Sequence, residues 1–342
     1  MIKELLEERN IPELLSGQEM LNILLEEEYG HLPPKPEKIS WEIEKNCFRY
    51  FCAGKATADK VTAVCDINGK KFSFPFYVCM PADEKKHPFF IYISFHDCVP
   101  NLYMPVEELL DHGFAVLSFC YEDITKDSND FTDGLAGVSY HNGVRRPDDA
   151  GKIAMWAWAA QRVMDYAQTL DNVLDLERSV VCGHSRLGKT ALLAAATDTR
   201  FQFAYSNDSG CSGAAITREK QGERVQVICG VFPFWFCENY KKYMGAEEKM
   251  PFDQHYLVAA IAPRKVLIGS ASEDIWADPV SEFLCCVAAG PAFGGFVYED
   301  RLPEVGDKFF EGNIGYHLRK GQHYFSREDW QRLIEFVNSK CH

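Results

Sequence analysis

Polar and apolar positions divide the chain into two regimes. Residues 1–30 place apolar side chains at helical spacing among many glutamates, and Leu32-Pro33-Pro34-Lys35-Pro36 ends that run in an extended link. β-rich stretches follow around Phe48–Phe51 and Val61–Met80. The second is folded on itself at Asp66-Ile67-Asn68-Gly69-Lys70, where Asn-Gly suits the positive φ angles of a tight hairpin. Together they predict an antiparallel meander. The pattern then changes: Pro88–Phe95 and Phe114–Tyr121 are short, unbroken apolar runs of the kind found in strands buried on both faces. Helical and strand patterns alternate from there. A helix is expected over about Asp148–Leu170, a strand over Ser179–Cys182, a helix over Arg186–Ala196 and a strand over Phe203–Ser206. Strand Lys265–Ser270, helix Pro279–Ala289, a strand near Ile314–Arg319 and a helix near Arg327–Ser339 complete the series. This alternation predicts an α/β fold with a mostly parallel central sheet flanked by helices.

Residues 217–251 match no sheet element and read as an insertion covering the site. No internal repeat or low-complexity segment is present. The expected organisation is an N-terminal helical extension over residues 1–40 and a single α/β domain over residues 41–342. The amphipathic run of the extension suits packing against a sheet edge or a dimer contact.

Composition narrows the class. The chain has 342 residues, 46% of them hydrophobic, which suffices for a large core. Its net charge of −14 disfavours nucleic acid or an anionic membrane as partner. The charged N-terminus has no basic segment followed by an apolar one, and no apolar run approaches the roughly 20 residues of a spanning helix, so a cytoplasmic protein is expected. Thirteen cysteines form no CxxC pair and no Cys/His zinc spacing. They read as reduced, mostly buried thiols, and no metal or cofactor is expected.

The chemistry concentrates in Gly183-His184-Ser185-Arg186-Leu187-Gly188-Lys189, between an apolar β-run and a helix of small residues. A serine at such a strand-to-helix turn stands above the sheet, with the helix N-terminus offering N–H groups to a developing oxyanion. The match to G-x-S-x-G is offset, because the second glycine stands at Gly188 and Leu187 takes its usual place. His323, in the loop between the last strand and the last helix, is where this architecture carries its general base. The triad acid has two candidates: Asp208, after the strand that follows the nucleophile helix, and Asp274, after the next strand. Spacing does not choose between them. His96, with Asp97, follows a strand end where a second oxyanion N–H is usually donated. His317 reads as a packed core histidine, His184 as packing beneath the turn, and Trp156 and Trp158 as core. Glu273 and Asp278 read as solvated or salt-bridged carboxylates.

These segments resemble the glucuronoyl esterases, carbohydrate esterase family 15. Gly183–Lys189 is similar to that family's G-C-S-R-x-G-K nucleophile motif, with His184 in place of the cysteine. Asn207–Ala215 resembles its Q-E-S-G-x-G-G-A segment. Pro251-Phe252-Asp253-Gln254-His255 and Ile261-Ala262-Pro263-Arg264 resemble its P-F-D-x-H and I-A-P-R stretches, and Gly315-Tyr316-His317 with Gly321-Gln322-His323 its histidine region. The likeness runs from about Gly183 to Trp330 and is strongest to the bacterial branch, often labelled acetylxylan esterases. It implies an α/β-hydrolase fold with Ser185 as nucleophile, His323 as base, Asp208 or Asp274 as acid and Arg186 at the oxyanion. It further implies that Lys189 and Trp276 contact sugar, with Trp235 of the insertion as a second aromatic candidate. The insertion offers no match to the fungal uronate-binding Gln and Glu.

The expected function is therefore serine esterase chemistry through an acyl-enzyme, on an acetylated xylo-oligosaccharide or a glucuronoyl ester. A general small-ester hydrolase or peptidase on the same fold is the alternative, followed by a non-catalytic sugar-binding protein.

Overall fold

The structure, a computed structural model, describes residues 1–340, so Cys341 lies outside the described residues. Its framework is one mixed sheet with ten strands among the described residues. They are β1 (Lys38–Glu44), β2 (Ala56–Ile67), β3 (Lys70–Pro81), β4 (His87–Ser94) and β5 (Ala115–Cys120). The rest are β6 (Leu174–His184), β7 (Phe203–Asn207), β8 (Lys265–Ala271), β9 (Lys308–Phe309) and β10 (Ile314–Arg319). The order across the sheet is β1-β2-β3-β5-β4-β6-β7-β8-β10-β9. β5, β4, β6, β7, β8 and β10 run parallel, whereas β1–β3 and β9 join antiparallel.

Burial explains the contrast between the two kinds of strand. Every residue of β4, β5 and β7 is buried, as helices on both faces require, while β2 largely alternates toward solvent. The β2–β3 hairpin turns at Asn68 and Gly69, both at positive φ. One face is covered by helices Lys152–Ala167 and Arg186–Thr197, which bury Trp156, Trp158 and Leu192. The other is covered by Val106–Asp111 and Arg327–Ser339, which set Trp330, Leu333 and Phe336 against Phe90 and Tyr92.

Three expectations need correction. Phe48–Phe51 forms no strand; the chain turns there into a short 3-10 segment, with Tyr50 and Cys52 at positive φ, conformations that cannot extend a ladder. Besides the two-residue β9, the additional strand is β1, which begins at Lys38, inside the stretch assigned to the extension. Its residues are mostly exposed, so it carries little of the apolar alternation by which strands are recognised.

The extension meets the helix layer rather than a sheet edge, and that is the third correction. Tyr256 Oη donates to the Glu13 carbonyl at 2.6 Å, His255 Nε2 donates to the Pro12 carbonyl at 2.9 Å, and Arg9 Nη1 donates to Ser281 Oγ at 2.7 Å. A π-helical turn, Leu25–Tyr29, then drives two polar side chains inward. Tyr29 Oη donates to the Ser212 carbonyl at 2.8 Å, and Gln254 Nε2 donates to both Glu28 carboxyl oxygens at 3.0 Å. The twelve described cysteines are free thiols. Among the described residues no helix is long and apolar enough to cross a membrane.

Burial pushes the Glu28 carboxyl from 4.5 up to about 7, against the hydrogen bond from Gln254. The folded protein thus keeps a proton that the unfolded chain releases, so the stabilisation is complete below about pH 4.5 and is lost as pH rises toward 7. Glu28→Gln should match wild type in urea unfolding near pH 4.5 and exceed it by roughly 2–3 kcal/mol near pH 8. Equal stability of the two proteins at both pH values would exclude a protonated Glu28.

Candidate active site

Ser185 sits where β6 passes into helix Arg186–Thr197, at φ 57° and ψ −126°, a conformation rarely tolerated by a side-chain-bearing residue. Its N–H donates to the Asn207 carbonyl at 2.9 Å, locking the turn to β7. The offset glycine has a steric explanation. A Cβ on Gly188 would lie 2.8 Å from Ser206 Oγ and 3.1 Å from Ser209 Cβ. Leu187, at the position usually given to glycine, points into the core and is fully buried. A Cβ on Gly183 would meet the Leu187 carbonyl oxygen at 2.2 Å, so that glycine is obligatory.

The imidazole arrives from the loop after β10. His323 Nδ1 lies 2.6 Å from Asp274 Oδ2, and Ala277 N–H donates to Asp274 Oδ1 at 3.2 Å. The two loops are also joined by backbone, since Glu273 N–H donates to the Gly321 carbonyl at 2.8 Å. Burial alone would raise the Asp274 carboxyl, but the hydrogen bond and charge of His323 outweigh it and hold the group below its ordinary value.

Asp208 lies close by and is used differently. Its Oδ1 accepts from Ala271 N–H at 2.7 Å and its Oδ2 from Arg319 Nη2 at 3.2 Å. Burial, reinforced by Glu282 and Asp329, raises its carboxyl well above the usual range against the pull of Arg319. Asp208, Asp274 and His323 each bring one potential ligand atom within 4.8 Å of the others, yet the positive charge beside Asp208 is already supplied by the Arg319 guanidinium. Geometry thus brings Asp274, not Asp208, to the imidazole.

Ser185, Arg186, Lys189, Glu223, Trp276 and His323 face one cavity of about 300 Å³, which Asp208, Phe232, Trp235 and Asp274 also line. A larger surface groove, about 820 Å³ between Phe48–Cys52 and helix Val106–Asp111, shares no lining residue with it. Trp276 is half exposed at the mouth, and Trp235 is buried in the wall. The Arg186 guanidinium stacks 4.6 Å from the Trp235 ring centre and ion-pairs with Asp127.

Three assignments change. His96 is not among the cavity residues, and its N–H donates to Ser94 Oγ at 3.0 Å, so it offers no second oxyanion donor. Lys189 lines the cavity, but its ammonium donates to the Ser209 and Cys211 carbonyls and stands 4.0 Å from Glu223, so most of its hydrogen-bonding capacity is spent within the protein. Asp278 is a buried N-cap that accepts from Ser281 and Gln221 N–H rather than a solvated carboxylate. His184 packs as expected, its ring centre 4.4 Å from that of His323 and its Nδ1 2.7 Å from Asn207 Oδ1. Buried His317 pairs with Tyr205 Oη at 3.0 Å.

The sequence did not single out Asp127, Glu223 or Phe232. The one available signal was a carboxylate in the loop following a buried strand, or inside the insertion, where many acids of an acidic chain also fall. The assembled groups suit acyl transfer: a hydroxyl on a constrained turn, an imidazole oriented by a carboxylate, and a helix N-terminus beside them.

Comparison with known proteins gives consistent results. The family profile described as "Glucuronyl esterase, fungi" matches residues 63–296. Carbohydrate esterase MZ0003, from an unknown prokaryotic organism, is 41% identical over 239 residues, 68% of this chain and 55% of that protein. A 4-O-methyl-glucuronoyl methylesterase of Schizophyllum commune is 26% identical over 273 residues, 77% of this chain and 63% of that protein. The chain thus spans less than two thirds of the length of these curated relatives. Among solved structures, a glucuronoyl esterase from Solibacter usitatus superposes with a TM-score of 0.85 at 32% identity, covering 95% of this chain and 92% of that one. A promiscuous CE15 esterase from a marine bacterial metagenome gives 0.82 at 30% identity, covering 94% and 90%.

The geometry ranks the two acids. Asp274→Asn should lower kcat/KM on an activated acetyl ester by on the order of 10³-fold or more, as expected when the imidazole loses its orienting carboxylate. Asp208→Asn should cost less than about tenfold if it acts only through Arg319. The opposite ranking would make Asp208 the triad acid.

Proposed function

The chain belongs to the glucuronoyl esterase family, carbohydrate esterase family 15, and from that premise we propose that it is a serine esterase cleaving esters of a glucuronoyl sugar. Ser185 Oγ attacks the ester carbonyl carbon while His323 takes the hydroxyl proton, and Asp274 stabilises the imidazolium. The oxyanion forms beside the N–H groups at the head of helix Arg186–Thr197 and the Arg186 guanidinium. Collapse expels the alcohol, which receives the proton from His323 and leaves the uronoyl group on Ser185. Water activated by His323 then attacks that ester, releasing the uronate and restoring the hydroxyl.

The observation that supports a sugar as the acyl group is the lining around the nucleophile. A carboxylate (Glu223), a guanidinium (Arg186) and two indoles (Trp235 and Trp276) line the cavity with Ser185. Polar groups beside aromatic faces suit a hydroxylated ring, whereas an acetyl group would need only a small apolar niche. A volume of about 300 Å³ is at the small end of ligand pockets, which fits one sugar residue rather than a polymer segment.

The test compares wild type and Ser185→Ala on methyl glucuronate ester and on an acetylated xylo-oligosaccharide. Hydrolysis of the uronate ester should exceed that of the acetyl ester, and the substitution should remove at least about 10³-fold of kcat. Preferred hydrolysis of the acetyl ester would make this an acetylxylan esterase, and full activity of Ser185→Ala would remove the serine mechanism.

A further inference from the structure

The cavity is rich in charged groups, but its charges come in pairs. Arg186 ion-pairs with Asp127, and Lys189 faces Glu223 at 4.0 Å. Asp208 is held by Arg319, while Asp274 is hydrogen-bonded to the His323 ring. The Asp127 pairing spans three separate parts of the chain. Asp127 lies in the loop after β5, Arg186 follows the nucleophile, and Trp235 belongs to the insertion. One carboxyl oxygen accepts from Arg186 Nη1 and, at 3.3 Å, from Tyr121 Oη; the other accepts from Trp235 Nε1 at 2.6 Å. Asp127 and Arg186 are both largely buried, at 11% and 24% exposure, so water screens the pair weakly.

The reaction gives this pairing a consequence. An ester enters neutral, while the uronate product leaves as an anion with its carboxylate where the ester carbonyl stood. A guanidinium with no counter-charge would hold that anion more firmly than the neutral ester. A guanidinium whose charge is cancelled from behind still donates N–H groups to an oxyanion generated in place, but adds little net attraction to keep the product carboxylate from returning to water.

We propose that Asp127 is a specificity-determining residue that, by pairing with Arg186, lets the site select the neutral uronate ester and discharge the anionic uronate. The inference rests on the esterase function proposed above and goes beyond it by naming the group that separates substrate from product.

Product inhibition tests it. Steady-state hydrolysis of methyl glucuronate ester is measured with added free glucuronate, for wild type and Asp127→Asn. In wild type the inhibition constant for glucuronate should exceed the KM for the ester by tenfold or more. In Asp127→Asn, which keeps the side-chain shape and removes the charge, that constant should fall at least tenfold while KM changes less than threefold. The variant's kcat should fall as well, because Arg186 loses part of what fixes it. A merely structural role would lower kcat and leave the inhibition constant unchanged, which would overturn the proposal. If Asp127→Asn does not fold, the wild-type ratio decides: glucuronate bound as tightly as the ester defeats the inference. Wild-type turnover separates the two levels. Without hydrolysis of the uronate ester the proposed function falls and this inference with it; with hydrolysis but no charge discrimination, only the role of Asp127 falls.

Discussion

Arg319 is the buried charge on which the reacting geometry depends. Its guanidinium donates to Asp329 and Asp208 and to the carbonyls of Gln322 and Tyr324, the two residues flanking His323. Burial would lower its pKa, but Asp329 and Asp208 outweigh that and raise it. An ion enclosed in a protein is tolerated only when its donors find acceptors, and here two of the acceptors are carbonyls of the loop that must be held still. The carboxylate not bonded to the histidine therefore acts one step removed. Asp208 anchors the arginine that anchors the loop.

The sheet explains why these groups meet at all. β5, β6, β8 and β10 run parallel, so their carboxyl ends lie on one edge, and the following loops deliver Asp127, Ser185, Asp274 and His323 respectively. Four segments distant in sequence converge because parallel strands connected through helices bring all such loops to the same rim. The N-terminal extension supports the same region from behind, through Tyr29 on Ser212 and Glu28 on Gln254. The insertion closes the cavity with Trp235.

What could be read in the chain followed from local rules. Unbroken apolar runs marked β4 and β5, Asn68-Gly69 marked the hairpin, and glycines with small residues around Ser185 marked the turn. Those signals are local because backbone sterics and two-sided burial are local. Features set by partners far along the chain, or by side-chain captures that spacing does not encode, were not legible. β1 is mostly exposed and so lacks apolar alternation. Asp208 and Asp274 occupy equivalent positions after successive strands, and only the placement of Arg319 assigns each its neighbour. The His96 N–H turned out to be engaged by Ser94, two residues away, a side-chain capture that strand-end spacing does not reveal. Lys189 stands in a motif position yet spends its ammonium on carbonyls some twenty residues downstream.

His184, directly before the nucleophile, gives the site one more property. Burial, aided by the charge of His323, lowers its pKa to about 3, and its ring lies 4.4 Å from that of His323. Two imidazoles this close would form a relay for an escaping proton if both were ordinary bases. Here the second ring is too weak a base to accept one, so it serves as an insulator. In the mechanism proposed above, the proton lifted from the serine then stays on His323 until the departing alcohol claims it, and the cycle keeps its own hydrogen.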